Sequence, residues 1–186
     1  MHKKIREILP VILMVWPYLF YALCFAIGAM ESIGTVLLCI YVVLTIPVYI
    51  ISIVNAFTYK SADPAKELAH YDMLIKLVHI PFYLTILVTG GMLVGTMALE
   101  TVLSGSTYEG PFLLGMLVTV AAMLMITSSM YGVSAAVKGV RSGQISGGKA
   151  VLLSVMHFIF VLDVISAIIL HASMKKSVPE AVQQNV

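Results

Sequence analysis

Charge is what this sequence has least of. Only 11% of its 186 residues are Asp, Glu, Lys or Arg, against about 25% in a soluble globular domain. With 60% apolar residues and a mean hydropathy of +1.02, the chain cannot cover a water-soluble core. Its longest polar segment, 60–76, is too short to build a core of its own. Cysteine is nearly missing: Cys24 and Cys39 both fall in apolar runs. A disulfide between them is conceivable, but no Cys-x-x-Cys is present for thiol–disulfide chemistry, and small packing residues are the plainer expectation. Asn-x-Ser/Thr and His-Glu-x-x-His are also absent, and neither a cofactor nor a metal is expected. A net charge of +2 gives no footprint for nucleic acid.

What is present is apolar length. Five runs, at about 8–30, 32–59, 77–99, 110–137 and 150–172, are each long enough for a hydrocarbon layer of about 30 Å. The runs are continuously apolar rather than alternating, and lipid requires each segment to satisfy its own backbone, so they read as helices. The expected fold is all-α: a polytopic bundle of five transmembrane helices forming one integral membrane domain over 1–186. The first run exceeds a signal h-region and reads as a retained anchor.

Sidedness follows from the basic residues. Lys3, Lys4 and Arg6 precede the first run; Lys60, Lys66 and Lys76 follow the second; Lys138, Arg141 and Lys149 follow the fourth. Nine of the eleven basic residues thus share one side, which the positive-inside rule makes cytoplasmic. Lys175 and Lys176 are the exception. The expectation is N-terminus in and C-terminus out, in a bacterial plasma membrane, with the lipid bilayer as default partner.

Local signals add detail. Asp63-Pro64 reads as an N-cap and a first helical proline, opening a short cytoplasmic amphipathic helix over about 64–76 that can run into the third span. Along it, Asp72, Lys76, His79 and Tyr83 form one stripe, continued by Gly90. Tyr41, Thr45, Ser52, Asn55 and Tyr59 form another on the second span, and the two should face one another or a common interior. Pro17, Pro47 and Pro81 each free a carbonyl four residues earlier; Pro111 fits a first turn. Gly91 with Gly95, and Ser128, Gly132 and Ala136, are spaced for close helix contact.

Asp163 is the acidic residue deepest in a run. At a helix centre it costs about 2.5–3.5 kcal/mol, so it should face the interior with a partner. Tyr21, Tyr41, Thr45 and Thr89 are the hydroxyls expected at its depth; no Lys or Arg is expected to reach it. His157 lies six residues earlier, about 120° around a continuous helix, and should not share its face; Tyr83, Ser52 or Tyr131 are its expected partners. His79 should reach Asn55 or Ser134, and His171 should sit at the outer boundary. Asp163, His157, His79, Asn55 and Tyr83 are therefore the candidate intramembrane polar or proton site, set against a purely structural reading in which they hold helices in register.

Two motifs are weaker. Gly143 to Lys149 matches the Gly-x4-Gly-Lys core of a phosphate loop, but Ala150 replaces the Ser or Thr that would hold Mg²⁺ and no strand precedes it, so a turn is expected. Asp63, Glu67 and His70 share a helix face, where three ligands from one exposed helix make a poor metal site.

The segments Tyr71-Asp72-Met73-Leu74-Ile75-Lys76-Leu77-Val78-His79-Ile80-Pro81-Phe82-Tyr83 and His157 to Ile168 resemble uncharacterised small multi-pass membrane proteins of Gram-positive bacteria, over about the last two-thirds of the chain. The resemblance implies a bacterial plasma membrane and no activity. The functional expectation is a non-catalytic accessory or structural subunit, assembling as a homo-oligomer or with another membrane protein. Its rival is a small transporter or ion pathway using Asp163.

Overall fold

The computed structural model describes residues 3–29, 31–104 and 110–176. Among them are six helices and no strand: α1 Lys3–Ala29, α2 Glu31–Thr58, α3 Pro64–Ser104, α4 Gly110–Arg141, α5 Gly147–Met156 and α6 Phe160–Lys176. The first four are long and apolar enough to cross a membrane. At 41 residues, α3 spans about 60 Å. It runs without interruption through both the stretch read as a cytoplasmic helix and the third apolar run.

Helix ends follow the local chemistry. Asp63 caps α3, its Oδ1 accepting from Lys66 N at 3.2 Å, with Pro64 in the first helical position. Pro111 likewise falls in the first turn of α4. At the other end of α4, Gly143 has φ +72°, a conformation glycine adopts without Cβ strain. Gln144 N then reaches Gly139 O at 2.8 Å and Gly143 N reaches Val140 O at 3.1 Å, the paired bonds of a Schellman turn. The phosphate-loop match is thus a helix stop followed by the start of α5, and Lys149 Nζ donates to Ser173 Oγ.

Basic residues close the C-terminal end of α2. Arg6 donates to Thr58 O at 2.9 Å, Lys138 to Tyr59 O at 2.9 Å and Ser134 to Ala56 O at 2.7 Å. These are last-turn or following carbonyls, where positive charge is favoured. Tyr59 donates to Glu67 Oε2 at 2.7 Å; burial first, and then this bond, raise its phenol above the ordinary range.

The packing puts α4 at the centre, against α2, α3, α5 and α6, while α3 also meets α1 and α6. The two polar stripes therefore line a common interior shared with α1 and α4. Asp72, Lys76, His79 and Tyr83 are all buried, as are Tyr41, Ser52, Asn55 and Tyr59. The small-residue spacing on α4 marks close packing, with Ser128, Gly132 and Ala136 buried. On α3, a Cβ at Gly91 or Gly95 would meet nothing within 4 Å. Cys39 is exposed with a free thiol; a pairing with Cys24 involves a side chain outside the described residues.

The fifth apolar run departs from expectation. It is two helices, of 10 and 17 residues, separated by a turn at 157–159. Lys149 Nζ and Ser173 Oγ lie 2.8 Å apart although 24 residues separate them; one straight helix would hold them about 36 Å apart. The chain reverses, and α6 returns to the end of the bundle from which α5 set out. Met174 packs on Gly139 and Ile145 near the end of α4, and the His171 ring lies 5.2 Å from that of His70. The fifth apolar run is therefore a helical hairpin rather than one continuous helix. His171 stands beside the start of α3 rather than at the far boundary.

Candidate functional site: a buried ion network at the hairpin tip

The reversal brings His157 and Asp163 together and carries both against α3. Lys76 Nζ pairs with Asp163 Oδ1 and lies 3.2 Å from Asp72 Oδ1, one turn earlier on the same helix. His157 Nε2 is 3.2 Å from Asp72 Oδ2, and Nδ1 is 3.7 Å from Asp163 Oδ1. These four side chains are 0–3% exposed. Neither Asp72 oxygen has a well-aligned hydrogen-bond donor, so its pairing with Lys76 and His157 is chiefly coulombic.

Helix ends and α4 complete the arrangement. His157 caps the C-terminal end of α5, and Asp163 lies in the first turn of α6. The Asp163 carboxylate therefore suits the N-terminal dipole of α6, and the end of α5 is where a positive charge is favoured. From α4, Ser129 Oγ lies 2.7 Å from His157 O and 3.3 Å from Asp163 Oδ1, serving a carbonyl that the break in the run leaves open. Ser166 Oγ donates to Asp163 O at 2.8 Å and meets His157 Nδ1. Gly132 makes room: a Cβ there would overlap the His157 ring and stand 2.7 Å from Asp72 Oδ2.

Several expected partners fall elsewhere. Asp163 has a lysine, not hydroxyls from α1 and α2; counting depth along one continuous helix misplaced it relative to Lys76. Tyr41 donates to Trp16 O, Thr45 accepts from Trp16 Nε1, and Tyr21 donates to Phe82 O. Thr89 is exposed. Tyr83 is buried and does not enter the network. Asn55 donates to Arg6 O at 3.1 Å and to Tyr131 Oη at 3.4 Å. His79 Nε2 lies 3.1 Å from Leu13 O, the carbonyl that Pro17, four residues on, leaves without its helical donor. His79 thus repairs α1, and only Asp163 and His157 of the five candidates enter the ion network.

Asp63, Glu67 and His70 do not converge on a metal. Asp63 serves the α3 cap and Glu67 accepts from Tyr59. Among the described residues no group of three His, Cys, Asp or Glu could hold an ion.

The model of the Family of unknown function (DUF6652) matches residues 5–176. The chain belongs to that family. No curated protein and no solved structure matches it. The match covers both resembling segments and extends over α1 and α2, so the network lies wholly within the DUF6652 region. In this DUF6652 chain Ser129 offers a direct probe of the hairpin tip. Ser129→Ala removes a buried donor from His157 O and is expected to destabilise the fold by about 1–3 kcal/mol, read as a lowered unfolding midpoint in detergent.

Proposed function

We propose that the chain is a non-catalytic integral membrane protein of a bacterial plasma membrane. In this reading α1–α4 cross the bilayer, and α5–α6 enters from the cytoplasmic side and returns to it. What supports it is the charge distribution on the hairpin fold. Returning α6 to the start of α5 puts Lys175 and Lys176 with the other basic residues, and Lys76, buried in the network, is the one that stands apart.

The protein acts as an accessory or structural subunit that assembles with itself or with another membrane protein. The observation carrying this is that the ionisable groups at the hairpin tip are buried against one another and hold helices together. A 560 Å³ cavity between α1, α2 and α4, lined by Tyr41, Thr45 and Tyr49 among others, includes none of the four. The distal half of α3 also presents Leu87, Val88, Met92, Leu99 and Val102 outward, together with the open Gly91 and Gly95.

A second reading, a proton or cation pathway through Asp163, has one specific observation in its favour. Four ionisable groups converge inside an apolar bundle, where such residues commonly mark ion handling. Proteoliposome flux separates the two. The accessory reading expects pH-driven and ion-driven flux no greater than in empty vesicles, for wild type and Asp163→Asn alike. Wild-type flux abolished by Asp163→Asn would establish the pathway instead.

A further inference from the structure

We propose that Asp72, Lys76, His157 and Asp163 form a binding site for one exchangeable proton, carried on His157 between the two carboxylates, whose presence keeps the hairpin docked. The proposal rests on the membrane-embedded hairpin reading and gives its network a ligand.

The contacts of the His157 ring leave room for the proton. Ser166 Oγ gives its hydrogen to Asp163 O at 2.8 Å, and in that arrangement it accepts from His157 Nδ1. On the other side, Nε2 stands 3.2 Å from Asp72 Oδ2, an atom that only accepts when ionised. A neutral imidazole has one N–H. Asp72 Oδ2 and His157 Nε2 are both buried without an aligned hydrogen-bond partner, so a proton between them is held by charge rather than by a directed bond.

Charge counting reaches the same end independently. Two carboxylates face one ammonium, leaving one negative charge over in a site excluded from solvent. An uncompensated buried ion costs several kcal/mol. One proton on His157 makes the quartet neutral, and the C-terminal dipole of α5 favours it there. The groups facing His157 are Asp72 and Lys76 from α3, Asp163 and Ser166 from α6, and Ser129 and Gly132 from α4. Among these contacts α4 supplies no charge to take the proton's place.

A metal cation is a poor alternative. Lys76 Nζ already stands against both Asp163 Oδ1 and Asp72 Oδ1, the place between the carboxylates that such an ion would occupy. Losing the proton leaves Asp72 facing an imidazole lone pair, which weakens the contact holding the hairpin tip to α3.

The test is ¹⁵N-histidine and ¹³C-aspartate solid-state NMR of the full chain in phosphatidylcholine–phosphatidylglycerol vesicles. Removing His2, His70 and His171 as glutamines leaves His79 and His157 to be told apart. At pH 7.5 both ring nitrogens of His157 are expected to carry hydrogen, and Asp72→Asn is expected to abolish that second N–H. A neutral His157 beside a protonated Asp72 or Asp163 would also support a one-proton site. A neutral His157 beside two ionised carboxylates would overturn it, and the wild-type spectrum decides this even where Asp72→Asn does not fold. Impermeant labelling of the chain ends in the same vesicles keeps the outcomes apart. Ends on one face with a neutral His157 beside two ionised carboxylates sink this proposal alone, whereas ends on opposite faces sink the hairpin reading.

Discussion

Lys76→Met is expected to destabilise the folded bundle by about 3–5 kcal/mol, the range for removing one partner from a buried ion pair. The effect belongs at the upper end because Lys76 serves two carboxylates: it pairs with Asp163 and stands 3.2 Å from Asp72. Without it, two acids would share a dry site with one imidazole. The double variant Lys76→Met with Asp163→Asn should recover most of the loss, since Asp72 and protonated His157 remain as a balanced pair. Denaturant titration in mild detergent, followed through the single tryptophan, Trp16, which stacks on Tyr41 with ring centroids 5.2 Å apart, reads both variants. A Lys76→Met protein as stable as wild type would show that the ion pairs do not hold the hairpin.

Gly132→Ala is the second large effect, and its cause is steric. The added methyl would overlap the His157 ring and approach Asp72 Oδ2 to 2.7 Å. His157 is not the free end of a flexible chain; it is fixed by Asp72, by Ser166 and by the α5 terminus. Overpacking generally costs about 1–3 kcal/mol, and here the displaced ring also loses its ionic contacts, so a loss of at least about 3 kcal/mol is expected. Gly91→Ala and Gly95→Ala on α3 are the controls, because nothing lies within 4 Å of either Cβ. They should leave monomer stability unchanged or raise it by at most about 1 kcal/mol each through helix propensity. If Gly132→Ala proves as mild as these, the close approach of α4 to the hairpin tip is wrong.

Much of the framework is legible in the residues themselves. Asp63-Pro64 names the start of α3. The spacing of Asp72, Lys76, His79 and Tyr83 names its buried face, and Ser128, Gly132 and Ala136 name the close-packed face of α4. Pro17 even points to the role of His79, through the carbonyl it frees at Leu13.

The hairpin is not legible in the same way. Met156-His157-Phe158-Ile159-Phe160 contains neither glycine nor proline, the residues that ordinarily punctuate a helix, so nothing local announces a break. Reading through it puts Asp163 too far along the bundle to meet Lys76, and turns His157 away from it by about 120°. Two faint signals were available. Lys175 and Lys176 departed from an otherwise consistent charge bias, and His157 and Asp163 stood inside one apolar run without partners of their own. The second is resolved by one tertiary event, the return of α6, which helical periodicity does not encode; the first is what the proposed topology accounts for.

Where the chain ends lie tests the folded-back hairpin most directly. In a Cys24→Ser, Cys39→Ser background, single cysteines at His2 and Ser177 can be labelled with a membrane-impermeant maleimide, in sealed vesicles of each orientation. The hairpin requires both positions to react from the same, cytoplasmic face, while a cysteine at Phe158 stays protected from either side. Labelling of positions 2 and 177 from opposite faces would contradict it, and would restore a single through-going fifth helix.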